Sequence, residues 1–242
     1  SISEINIFSP IQGSSAGAKD FIVDMKNYIT VSVIGKGMYG VVSLVKDKRT
    51  GQKYASKELK FEKEEEERQN EKLFKREVEI MASFDNYALL GLRGFTEYKK
   101  NVKPHILTEY CQKGELSSII KEESKGLSPS GYDETQKLII AYGIARGMQV
   151  LHKKKIIHRD IKPENIFLNE LYEPKIADFG LSKMTEGTIF QSETVGTPLF
   201  MAPELLNEVE YTDKVDVYAY GMLLYNLIEL EIPFHYLGEI NM

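Results

Sequence analysis

From Tyr28 the chain alternates in character. Ile29, Val31 and Val33 are separated by polar residues, a period of two that predicts a β-strand. Gly35, Gly37 and Gly40 turn the chain, and residues 41–45 predict a second strand. A third is predicted at Lys53–Leu59, after the Thr50-Gly51 turn. The dense charge run over residues 62–72 reads as a solvated helix face or loop rather than an acidic recognition tail. Past it, Phe74, Glu77, Val78 and Met81 fall at i, i+3, i+4 and i+7, which predicts a helix whose apolar face carries one carboxylate, Glu77, while Glu79 points elsewhere. Two more strands are expected around residues 92–98 and 105–111.

After Gly114 the pattern turns helical. Asp133-Glu134-Thr135-Gln136 resembles a capping box opening a helix that runs to about Lys154, and residues 215–230 predict another helix. Residues 1–27 mix Ser, Gly and scattered apolar positions and are expected to form a flexible segment. A strand-rich first third and a helix-rich remainder predict an α+β protein with two lobes meeting near residues 109–114.

Composition changes this picture little. Of 242 residues, 42% are hydrophobic and 28% charged, as in ordinary soluble globular proteins. A net charge of −5 supplies no overall basic field, so nucleic acid is not an expected partner. Cys111 is the only cysteine, which excludes an intramolecular disulfide and suits a reducing, cytoplasmic setting. No apolar run reaches the ~18 residues of a membrane span, and no secretory signal is evident.

The chemistry lies in ordered short motifs. Gly35-x-Gly37-x-x-Gly40 has the spacing of a phosphate-binding loop, but that spacing alone also fits a dinucleotide fingerprint. A dinucleotide turn must open a helix, whereas Val41 and Val42 continue a strand, as in a glycine hairpin laid over nucleotide phosphates. Lys57 by itself would be a surface lysine on an edge strand. Glu77, a carboxylate on an apolar helix face, needs a buried cationic partner and singles Lys57 out. Further on come His158-Arg159-Asp160-Ile161-Lys162-Pro163-Glu164-Asn165, then Asp178-Phe179-Gly180, then Ala202-Pro203-Glu204. Any one carboxylate here would ordinarily be a turn or cap residue. Their joint order and spacing describe metal-dependent phosphoryl transfer.

On these motifs residues 28–242 resemble a eukaryotic protein kinase. The resemblance implies a two-lobed fold: a small antiparallel-sheet N-lobe with one key helix (28–108), a hinge (109–114) and a mainly helical, incomplete C-lobe (115–242). It implies ATP and Mg²⁺ as substrate and cofactor. Gly35, Gly37 and Gly40 would approach the phosphates, and Ile34, Val42, Ala55 and Phe167 would line the adenine. The Glu109 carbonyl and Cys111 amide would bond the adenine edge beside Thr108 at the gatekeeper position. Lys57, oriented by Glu77, would pair with the α- and β-phosphates. Asp160 would orient the substrate hydroxyl and accept its proton, Lys162 would neutralise the γ-phosphate, and Asn165 and Asp178 would ligate Mg²⁺.

The resemblance also implies that His158 packs with Met81, Leu92 and Phe179, and that Asp216 holds the backbone around His158 and Arg159. Lys162 and Gly196-Thr197-Pro198 resemble serine/threonine kinases, so protein Ser/Thr hydroxyls are the expected substrates; residues 215–221 look most like the tyrosine-kinase-like group. Arg159 beside Asp160 implies control by negative charge on residues 181–201, from an upstream kinase or autophosphorylation at Thr188, Ser192 or Thr194, with Glu193 expected to substitute in part for a phosphate. The family's later helices, including an arginine that pairs with Glu204, are not found before Met242, so apolar surface is expected to be exposed. The competing reading is a nucleotide-binding, pseudokinase-like scaffold; loss of Lys57, Asp160 or Asp178 would favour it, and all three are present.

Overall fold

The computed structural model describes residues 21–37, 40–59, 64–99, 102–184, 198–207 and 209–234. They divide into two compact units: the chain up to Asp85 together with Leu90–Tyr110, and Asn86–Leu89 together with the chain from Cys111. The division at Tyr110–Cys111 lies inside the expected connector, while the short stretch Asn86–Leu89 belongs with the second unit.

The first unit is built on five antiparallel strands, β1 (Tyr28–Gly37), β2 (Gly40–Asp47), β3 (Lys53–Leu59), β4 (Leu92–Phe95) and β5 (His105–Glu109), in the order β1-β2-β3-β5-β4. Helix α1 (Glu64–Ala82) buries the face its periodicity specified: Phe74, Glu77, Val78 and Met81 are all inside, with Ile80 beside them. Each such apolar side chain contributes about 1.5–3 kcal/mol by leaving water, so packing rather than propensity holds this charge-rich helix. Phe74 meets Phe95 of β4 edge-on at 6.3 Å between centroids.

β4 stops at Phe95 instead of continuing to residue 98. The His105 amide donates to Thr96 Oγ1 (2.8 Å) rather than to a main-chain carbonyl, and this ends the ladder. Nor does the expected flexible segment reach residue 27. Ile22 bridges Phe95 and the Val23 amide donates to the Phe95 carbonyl at 2.9 Å, fastening the chain to the β4 edge. Residues 1–20 lie outside the described residues.

The second unit is mainly helical: α2 (Leu116–Glu123), α3 (Glu134–Lys153), α4 (Pro203–Leu206) and α5 (Lys214–Glu229). Short strands β6 (Gly114–Glu115), β8 (Ile166–Leu168) and β9 (Pro174–Ile176) form one sheet, and β7 (Ile156–Ile157) pairs with β10 (Lys183–Met184). Helix α3 opens as its sequence specified, with Asp133 accepting from the Thr135 amide (2.7 Å) and Gln136 accepting from the Asp133 amide (3.3 Å). Helix α5 ends at Leu230, which takes a left-handed conformation (φ 60°).

Glycines on α3 fix the place of the β8–β9 hairpin. A Cβ at Gly143 would lie 2.4 Å from Pro174 Cγ, and one at Gly147 2.8 Å from Ile176 Cδ1. Bare backbone there lets β9 lie directly on the helix, and β9 leads straight into Asp178. Among the described residues no helix is long and apolar enough to cross a membrane.

Candidate active site

In the first unit, register does the positioning. Val42 of β2 lies opposite Gly35 of β1 and Lys57 of β3, and Ala55 lies opposite Thr108 of β5. Opposed residues share a face and alternate residues repeat it, so Gly35, Val42, Ala55, Lys57 and Thr108 occupy one side of the sheet. Gly37 pairs with Gly40 where β1 turns into β2, and Ile34 just before them is exposed. Lys57 Nζ reaches both Glu77 oxygens, at 2.8 and 3.0 Å. The Glu77 side chain is only 8% exposed, so this pair meets the demand that the helix pattern made.

Thr108 Oγ1 donates to the Glu109 carbonyl (3.1 Å), and the Glu109 carboxylate accepts from the Gly91 amide (2.7 Å). The end of β5 is thereby tied to the start of β4. Cys111, buried, and Phe167, half-buried on β8, belong to the second unit.

In the second unit the acidic residues are held by a dense network. Asp160 is 8% exposed; its Oδ2 accepts from Lys162 Nζ (2.9 Å) and from Asn165 Nδ2 (2.8 Å). Asn165 Nδ2 also donates to the Asp160 carbonyl (2.8 Å). With its amide nitrogen committed twice, Asn165 keeps Oδ1 as the acceptor to offer a cation. The Ala177 amide donates to the Asn165 carbonyl (2.9 Å), so Asn165 and Asp178 flank the same end of the β8–β9 hairpin. An amide oxygen beside a carboxylate is a hard oxygen donor set that fits Mg²⁺. Asp178 adopts a left-handed conformation (φ 61°, ψ 76°), and its carboxylate accepts a long bond from the Gly180 amide (3.4 Å).

His158 is packing, not chemistry. Its ring is fully buried edge-on against Phe179 (5.3 Å), Nε2 meets the Ala177 carbonyl (2.9 Å) and Nδ1 meets the Asp160 amide (3.3 Å). A carbonyl on one side and an N–H on the other fix the tautomer with hydrogen on Nε2. Met81 and Leu92 are buried within the first unit. Asp216 of α5 accepts from the His158 amide (2.9 Å) through Oδ2 and from the Arg159 amide (2.8 Å) through Oδ1, the role expected of it.

Two neighbours of this loop gave no signal in the sequence. His152, at the end of α3, places Nε2 2.7 Å from Asp216 Oδ2, and Tyr211 offers its hydroxyl to Arg159 at 3.2 Å. Each resembles an ordinary helix or core residue, and its partner lies far off in sequence, 64 residues away for His152 and 52 for Tyr211. Thr188, Ser192, Glu193, Thr194, Gly196 and Thr197 lie outside the described residues, as do Met38 and Tyr39 of the glycine loop. Among the described residues Glu204 makes no ion pair, and Val217, Ile228 and Ile232 are exposed.

Residues 28–241 match the family model of the protein kinase domain. The chain belongs to the protein kinase family. It is 32% identical over 212 residues to mouse serine/threonine-protein kinase Nek5, covering 87% of this chain and 32% of the relative. It is 30% identical over 231 residues to mouse serine/threonine-protein kinase 33 (90% and 44%) and 38% identical over 168 residues to RGS domain-containing serine/threonine-protein kinase A of Dictyostelium discoideum (69% and 14%). The chain spans about half the length, or less, of such curated relatives. Within this kinase domain, the polar residues expected at the site are all present: Lys57 with Glu77 in one unit, and Asp160, Lys162, Asn165 and Asp178 in the other.

Proposed function

We propose that this chain is the catalytic domain of an ATP- and Mg²⁺-dependent protein kinase that phosphorylates serine and threonine hydroxyls. The observation that carries the proposal is the Asp160 carboxylate held by Lys162 and Asn165 at 2.9 and 2.8 Å, in the loop adjoining Asp178. A carboxylate so fixed can orient a hydroxyl and take its proton as the new P–O bond forms. Mg²⁺-bound ATP supplies the transferable phosphoryl group. Lys162 supplies a positive charge beside the reacting oxygens, and Asn165 and Asp178 supply the metal's protein ligands. In the first unit, Glu77 orients Lys57 toward nucleotide phosphates on the face shared with Val42 and Ala55.

Lys162 and the serine/threonine kinases among the relatives support hydroxyl selectivity for Ser/Thr. The tyrosine-kinase-like group rests on residues 215–221 alone. Arg159 supports regulation by phosphorylation of residues 181–201, by another kinase or by the chain itself, and Cys111, the single cysteine of the sequence, suits a cytoplasmic setting. Incubation with Mg²⁺-ATP and paired Ser/Thr and Tyr peptide libraries tests the reading. Transfer confined to Ser/Thr peptides is expected; transfer to Tyr peptides, or nucleotide binding with no transfer, would overturn it, the latter in favour of the scaffold reading.

A further inference from the structure

Tyr211, in the link between α4 and α5, is 2% exposed, and its ring packs with Ile157, Ala202, Leu205 and Val215. Its hydroxyl meets Arg159 Nη1 at 3.2 Å. On the same guanidinium, Nε donates to the Leu181 carbonyl at 2.6 Å. Leu181 directly follows Asp178-Phe179-Gly180. Arg159 itself takes a left-handed backbone (φ 69°), with its amide bound to Asp216 (2.8 Å).

This geometry makes a strut. A guanidinium is planar with donors fixed in direction, so holding Nη1 as well as Nε sets the plane in which Nε points. A tyrosine suits the far end, because its apolar ring is clamped in the core while its oxygen sits at a fixed distance from the backbone. What the strut reaches needs restraint. A non-glycine residue in the left-handed region costs on the order of 1 kcal/mol or more and persists only when its surroundings impose it. Asp178 is such a residue, and Leu181 closes the Phe179–Leu181 helical turn that directly follows it.

We propose that Tyr211 is a positioning residue for the metal-binding segment. Through Arg159 it holds the Leu181 carbonyl, and with it the backbone that aims the Asp178 carboxylate. The inference rests on the kinase reading and adds a metal-specific role for a residue that touches neither nucleotide nor metal. Arg159, expected above to answer to phosphate, is on this account also oriented from the core side of the loop.

The test is binding of a non-hydrolysable ATP analogue to the 242-residue chain, titrated with and without Mg²⁺, for wild type, Tyr211→Phe and Arg159→Lys. Tyr211→Phe keeps the ring and removes only the hydroxyl; a thermal melt close to wild type shows that the core is intact. The expected result is metal-free affinity unchanged in Tyr211→Phe and the Mg²⁺ concentration for half-effect raised about fivefold, the worth of one hydrogen bond. Arg159→Lys, which cannot hold both partners in one plane, is expected to shift in the same direction. A half-effect concentration within twofold of wild type in Tyr211→Phe would overturn the proposal, as would an equal loss of affinity with and without metal. If wild type itself shows no Mg²⁺-promoted binding, the kinase reading fails and this inference fails with it.

Discussion

Each unit carries charged residues of the candidate site, and the two hold them by different means. In the first, Lys57 of β3 meets both carboxylate oxygens of Glu77 on α1, and the other residues on that face of the sheet are positioned by strand register. In the second, Asp160, Asn165, His158, Arg159 and Asp216 are cross-linked, and the one Asp216 carboxylate accepts from two main-chain amides and from His152. A side-chain pair that joins a strand to a helix can be broken and remade as the helix shifts. A loop bonded through its own backbone cannot lose a partner without exposing several unsatisfied groups. The first arrangement suits a part that switches, and the second suits a part that must keep its shape.

Asp216→Ala breaks the comparison hardest. It leaves two buried amides and a histidine without their acceptor and should destabilise the second unit by about 3–5 kcal/mol, read from denaturant unfolding. Glu77→Gln should do the opposite. Phosphoryl transfer should fall on the order of a hundredfold, because Lys57 loses its orientation, while unfolding changes far less than in Asp216→Ala. Equal destabilisation by the two variants would erase the distinction.

Gly94→Val probes the first unit away from its ion pair. A Cβ there would lie 2.5 Å from Val23 Cγ1 and 3.1 Å from the Phe21 carbonyl, so the segment must lift from β4. A loss of about 1–3 kcal/mol and faster hydrogen exchange at the Val23 amide are expected.

The smallest effect concerns His105, where burial lowers the pKa below its ordinary value of 6.5, opposed in part by Glu58 and assisted by Lys103. Below pH 6.5 the unfolded chain takes up a proton there that the folded chain resists, so stability is full above that pH and declines as pH falls through and below it. His105→Gln should flatten this slope in unfolding measured between pH 7 and pH 5.

What the sequence made legible was local. The buried face of α1 followed from a four-residue pattern, the start of α3 from Asp133 and Gln136, and the Lys57–Glu77 pair from one carboxylate on an apolar stripe. The candidate catalytic and metal residues stood out because they fall in short motifs whose order is distinctive. Distant contacts of unremarkable residue types were not. Nothing about Val23 or Gly94 announces that they touch across 71 positions, and Tyr211 resembles any buried aromatic until its hydroxyl is placed beside Arg159. The end of β4 was missed because a threonine side chain, not a breaker residue, closes the ladder.

The account's central claim is that Asp160 is the proton acceptor of a serine/threonine phosphoryl transfer. Mg²⁺-ATP transfer to a Ser/Thr peptide, measured beside nucleotide affinity in Asp160→Asn, tests it most directly. The account predicts nucleotide affinity near wild type with transfer lost by at least about a hundredfold. Transfer at the wild-type rate in Asp160→Asn would contradict it.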